Sequence, residues 1–112
     1  MPPPTPNKKL AIVACMDARF EPLALLNAEV GDAHVIRNAG GIVTDDVLRS
    51  VETSRKLGTE DIVVIGHTDC GLGPGEDDRV REAVAKLRES AGAGSVSGYV
   101  FDVDSGELRE VV

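Results

Sequence analysis

Tryptophan is absent from this chain of 112 residues, and its aromatic complement is Phe20, Tyr99 and Phe101. The interior must therefore rest on Val, Ile, Leu and Ala, and the stacking surface that grips single-stranded nucleic acid is missing. A cationic surplus is missing too. Twelve Lys and Arg stand against 19 Asp and Glu, a formal charge of −7, which is the wrong sign for a phosphate-tracking face and reads as solubility instead. No nucleic-acid partner is expected. No apolar run approaches the length of a membrane span, and residues 1–6 lack the apolar segment of a secretory signal, so the expectation is a cytoplasmic protein with no membrane partner. Cysteine is scarce, with Cys15 and Cys70 alone. In that compartment two cysteines point to thiols or metal ligands rather than to a disulfide.

What is present suffices for one domain. With 42 % apolar and 28 % charged residues the composition is that of an ordinary globular chain. A chain of this size buries roughly two-thirds of its unfolded surface, enough for a single core. Residues 1–7 hold four of the six prolines and read as a disordered tail, leaving 8–112 as the domain.

Within that domain Leu10-Ala11-Ile12-Val13-Ala14 is the continuous apolar run of a strand buried on both faces. Pro22 followed by Leu23, Leu25 and Leu26 predicts a short helix ending before Gly31. Residues 33–37 form a second strand, followed by a tight Asn38-Ala39-Gly40-Gly41 loop. Thr44 is an N-cap candidate with Asp45 and Asp46 in the first turn, and Val47, Leu48, Val51 and Leu57 give the helix its apolar stripe before Gly58 stops it. Residues 61–65 are a third buried strand, closed by Gly66. Val80, Val84 and Leu87 mark a helix through about Glu89, residues 90–98 a Gly, Ala and Ser connector, and Tyr99 to Val112 two extended segments around a turn. Strands alternating with helices predict an α/β single domain, mainly a parallel β-sheet flanked by helices, with a C-terminal edge strand or hairpin.

The chemistry gathers at the carboxyl ends of the strands, where open parallel sheets form their sites. Cys15 follows strand one, and His67 and Cys70 follow strand three. Two thiolates and one imidazole are a donor set for catalytic zinc that leaves a fourth position open. Spacing alone leaves the alternative of two core cysteines and an incidental histidine; placement after adjacent strands favours zinc. Asp17 and Arg19, alternating with Cys15, can share its face if the strand continues through them. Such neighbours are commonly a simple surface ion pair. Beside a zinc, however, the carboxylate either coordinates the metal or accepts a hydrogen bond from its bound water, and Arg19, by holding it in a bidentate pair, is a gate between the two. The glycines of the Arg37 to Gly41 turn let backbone N–H groups face a small anion. Met16 reads as packing, and His34 as a strand residue.

Together these pieces resemble the β-class carbonic anhydrases. Cys15-Met16-Asp17-Ala18-Arg19 is similar to that family's Cys-x-Asp-x-Arg, His67-Thr68-Asp69-Cys70-Gly71 to its His-x-x-Cys-Gly, and Arg37-Asn38-Ala39-Gly40 to its Arg-Asn-Ala-Gly turn. Tyr99 to Val103 resembles its closing strand. The resemblance implies Zn2+ on Cys15, His67 and Cys70, with Asp17 and Arg19 as the catalytic dyad. It implies reversible hydration of carbon dioxide to bicarbonate and a proton by attack of zinc-bound hydroxide, with N–H groups near Gly40 and Gly41 holding bicarbonate. Hydrolysis of carbonyl sulfide or carbon disulfide on the same scaffold, and a catalytically silent zinc-stabilised module, are the alternatives. The chain departs from the family in lacking a helical N-terminal arm, in a shorter helical stretch after Cys70, and in having no glutamine. A homodimer or higher homo-oligomer is expected, because so small a sheet leaves apolar surface for a partner copy.

Overall fold

The computed structural model describes residues 3–90 and 94–112. Positions 1 and 2 of the expected tail and 91–93 of the expected connector lie outside the described residues. Five strands form one sheet in the order β2-β1-β3-β4-β5. These are β1 (Leu10–Cys15), β2 (Ala33–Asn38), β3 (Asp61–His67), β4 (Val96–Phe101) and β5 (Leu108–Glu110). The first four run parallel, and β5 closes the sheet antiparallel to β4. The chain is thus the α/β domain that the alternating pattern predicts, with a C-terminal hairpin.

β1 is central and its apolar run is explained by its place: residues 11–15 are all buried, with Ala11 and Val13 facing one side and Ile12, Ala14 and Cys15 the other. The first side is covered by α2 (Asp45–Lys56) and α3 (Glu76–Glu89). Thr44 caps α2 by accepting the Val47 N–H at 3.3 Å, and Arg55 and Lys56 complement the dipole at the other end. Val47, Val51, Val80, Val84 and Leu87 are buried in this layer, and full burial of each contributes about 1.5–3 kcal/mol. Helix α3 sits close to the sheet because β3 and β4 present glycine beneath it. A Cβ on Gly66 would stand 2.6 Å from Val80 Cγ2, and one on Gly98 would run into Val80 and Val84.

Here the structure differs from the expectation of a connector over 90–98: residues 96–98 are the first half of β4, and Gly98 is small because α3 packs on it. β3 likewise runs past Gly66 to include His67.

The other face of the sheet is covered more thinly. Among the described residues the four-residue α1 (Pro22–Leu25) and its flanking loops, with Cys70, Val103 and Leu108, pack there against Ile12, Ala14, Ile65, Phe20 and Phe101. Leu10 and Val63 are partly buried on this side, and Val35 is exposed. Segment 3–7, set aside in the sequence-based fold, touches the domain: Pro6 is buried, the Asn7 N–H donates to Gly31, and His34 Nε2 donates to the Pro4 carbonyl at 2.7 Å. His34 is the strand residue expected, its Nδ1 meeting Ser54 Oγ at 2.6 Å.

Candidate metal centre

β1 sits between β2 and β3, so the chain turns to opposite sides after successive strands and leaves a crevice at their carboxyl ends. Cys15 is the last residue of β1 and His67 the last of β3. Cys70 follows in a turn held by the Gly73 N–H donating to the Cys70 carbonyl at 2.8 Å. The sheet order therefore brings together three residues that are far apart in sequence. Their ligand atoms all lie within 4.8 Å of one another.

The imidazole of His67 is held for ligation. Its Nδ1 is 2.7 Å from the Thr68 carbonyl; a carbonyl only accepts, so Nδ1 carries the proton and Nε2 keeps its lone pair. That Nε2 is buried and has no hydrogen-bond partner. An orphaned buried nitrogen is costly unless something else satisfies it. Facing two free thiols, it sits where a soft divalent ion would, at a spacing near that of atoms sharing one ion about 2.0–2.3 Å from each. The residues fit a metal with three protein ligands. Phe20, unremarked in the sequence beyond its rarity, fixes the ring from the side, with centroids 5.4 Å apart.

Asp17 and Arg19 meet, though by a route other than strand alternation. β1 ends at Cys15, Met16 is 65 % exposed rather than packed, and the chain turns so that the Arg19 backbone N–H donates to Asp17 Oδ1 at 2.8 Å. Arg19 Nε donates to Oδ1 at 3.0 Å and Nη2 to Oδ2 at 2.7 Å, the bidentate pair expected. These donors hold the Asp17 carboxyl well below the usual carboxylate range. Its Oδ2 lies 3.8 Å from His67 Nε2 and so borders the centre.

Two further residues shape this corner. Arg37 stacks over Phe20 and threads its guanidinium into the 15–20 loop, donating to the Cys15 carbonyl at 3.0 Å and the Asp17 carbonyl at 2.7 Å. Its sequence signal was its place before Asn38, but which carbonyls it reaches depends on pairing β1 with β2. Asp69, between His67 and Cys70, also binds Arg19, through Oδ2 at 2.9 Å and its carbonyl at 2.8 Å.

The glycine turn expected to face a small anion follows directly on β2. Ala39–Gly41 is a 3-10 turn braced by Asn38, whose side chain accepts from the Ile42 N–H and donates to the Ile42 carbonyl. Gly40 directs its N–H to Cys15 Sγ at 3.3 Å, and a Cβ on Gly41 would press on the Ala14 and Cys15 backbone at 3.1 Å. In front of these groups lies an open cleft of about 400 Å³, bordered by Cys15, Met16, Asp17, Gly40, Cys70 and Leu72. Two exposed apolar side chains, Met16 and Leu72, form its rim.

Residues 10–84 match the family model described as carbonic anhydrase. β-Carbonic anhydrase 1 of Mycobacterium tuberculosis is 40 % identical over an alignment covering 97 % of this chain and 85 % of that protein. That alignment spans 139 positions against the 112 residues here, so the relative carries segments that this chain lacks. A carbon disulfide hydrolase of Acidithiobacillus thiooxidans is 43 % identical over 70 % of this chain and 41 % of its own length. Among solved structures, carbonic anhydrase from Streptococcus mutans superposes with a TM-score of 0.93 at 37 % identity, covering all of this chain and 86 % of that one.

Proposed function

From the premise that this chain belongs to the β-carbonic anhydrase family, we propose that Cys15, His67 and Cys70 hold zinc and that Asp17 and Arg19 serve the hydration of carbon dioxide beside it. The protein is a carbonic anhydrase by its family; the roles of its individual side chains are what is proposed. The observation that carries the reading is the buried, unpartnered His67 Nε2 aimed at two free thiols.

Bound there, zinc supplies Lewis acidity that makes water available as a nucleophile near neutral pH. The chain's own groups do the rest. Asp17, kept ionised by Arg19, presents a carboxylate oxygen that accepts a hydrogen bond from the attacking water and aims its lone pair at the carbon. Water adds to carbon dioxide and a proton leaves, giving bicarbonate. N–H groups near Gly40 and Gly41 are assigned to holding bicarbonate, a reading supported by the place of Gly40 on the border of the cleft beside Cys15.

The thiolate ligands suit a reducing cytoplasm, where free cysteines persist. The thinly covered sheet face around Leu10, Val35 and Val63 supports a homodimer, since parallel sheets are ordinarily covered on both sides. Among the described residues no helix is long and apolar enough to cross a membrane.

Stopped-flow hydration of carbon dioxide by protein carrying one zinc per chain, near pH 7 and about pH 8.5, tests the reading, and no rate above buffer at either pH overturns it. The similarity to carbon disulfide hydrolases supports a second substrate class, carbon disulfide or carbonyl sulfide, entering past the apolar rim of Met16 and Leu72. Rates on the three compounds measured side by side decide between them.

A further inference from the structure

Arg19 is 45 % exposed at its side chain, and an arginine so placed ordinarily samples many rotamers, so that its pairing with a neighbouring carboxylate is weak. Here all three of its nitrogens are engaged. Nε and Nη2 face Asp17, Nη2 also donates to the Asp69 carbonyl at 2.8 Å, and Nη1 donates to Asp69 Oδ2 at 2.9 Å. Asp69 can offer its carbonyl and carboxylate together because its backbone sits at φ 52°, a left-handed conformation that aspartate tolerates better than most side chains. It stands between His67 and Cys70. The grip on the outer edge of Arg19 is therefore built into the turn that carries two of the three ligand atoms.

Across Arg19 the Asp17 carboxylate comes within 3.8 Å of His67 Nε2. A torsional change would bring it into reach of the ion shared by Cys15, His67 and Cys70, and a carboxylate oxygen is an ordinary zinc ligand. What restrains it is Arg19, and what restrains Arg19 from the far side is Asp69.

We propose that Asp69 is a positioning residue: by fixing the Arg19 guanidinium it holds the Asp17 carboxylate off the metal and keeps the fourth coordination position open to small molecules. The inference rests on the proposed zinc site. Asp69 acts only through its two neighbours, so its effect must vanish when Asp17 can no longer ligate. Asparagine keeps the left-handed backbone, the carbonyl contact and a side-chain oxygen, so Asp69→Asn removes the charge of the grip alone and weakens it to a neutral hydrogen bond.

The experiment is a titration of the cobalt-loaded chain with azide at fixed pH, followed by visible absorption. Wild type should show thiolate-to-cobalt absorption and a spectrum that responds to azide. Asp69→Asn should keep the thiolate absorption and bind cobalt within about twofold of wild type, yet need roughly tenfold more azide, because Asp17 now competes for the open position. Asp69→Asn combined with Asp17→Asn should respond to azide as Asp17→Asn alone does. A turn that merely lost its shape would weaken cobalt and azide binding in both backgrounds. An unchanged azide response in Asp69→Asn, or a deficit that survives in the Asp17→Asn background, overturns the inference. Absence of thiolate-to-cobalt absorption in wild type removes the zinc-site reading and the inference with it, whereas its presence with an unaltered Asp69→Asn sinks the role of Asp69 alone.

Discussion

The backbone N–H of Gly40 donates to Cys15 Sγ across 3.3 Å, and it does so from a backbone φ of 87° with Leu72 lying where a side chain at position 40 would go. A metal-ligating sulfur with an N–H donor carries less charge and a fixed direction, as groups behind the ligands of metal sites commonly arrange. The glycine turn thus acts on the Cys15 side of the cleft, and Leu72 packs against it from the other.

Gly40→Ala tests that relationship. A β-carbon must displace Leu72 and occupy a left-handed backbone, a cost of about 1–2 kcal/mol in urea unfolding of the metal-free chain. The cobalt-thiolate absorption of the same variant should shift, because the N–H leaves Sγ. A variant as stable as wild type with an identical cobalt spectrum would show that the contact carries no weight.

Metal and stability should be coupled through Cys70. This cysteine is only partly buried, so Cys70→Ser should disturb the metal-free fold little, while Cys15→Ser, at 5 % exposure, also alters the core. Zinc at a hundred times its dissociation constant should stabilise wild type by about 2.7 kcal/mol and leave Cys70→Ser near its metal-free value. Thermal melts with and without zinc, alongside metal analysis, check this.

For Asp17→Asn the expectation is retained zinc with turnover reduced at least about 100-fold, the scale of losing a group that positions a proton in the reaction. Stopped-flow rates beside zinc content measure it. Undiminished hydration by the variant would remove Asp17 from the proposed mechanism.

Acid should weaken the link between α3 and β5. Arg109 donates to both oxygens of Asp77 at 2.7 and 3.0 Å and holds its carboxyl below the ordinary value of 3.8. A carboxyl depressed in the folded state contributes stability above the unfolded value and loses it as pH falls through the folded one. Asp77→Asn should therefore be slightly less stable than wild type near pH 6, with the gap closing below about pH 4. Urea midpoints across that range report it, and a gap independent of pH would contradict the assignment.

Much of the frame could be read directly. Residues 10–14 and 61–65 announced buried strands through unbroken apolar runs, and Thr44 with Asp45 and Asp46 announced the start of α2. The reading failed at Ser97 and Gly98, where small residues mean flexibility in isolation and close helix packing in context. It failed at Met16 as well, since where β1 stops is set by its partner strands and not by local pattern.

The sequence by itself determined the donor set of the centre and the side of the sheet on which it forms, because thiolate, imidazole and carboxylate chemistry belongs to residue type and parallel strands expose their carboxyl ends together. Tertiary structure alone decided how those groups are aimed. The sulfur contact of Gly40 and the grip of Asp69 on Arg19 each join segments that the order β2-β1-β3 brings side by side, and no local pattern encodes a contact between loops 25 or 50 residues apart.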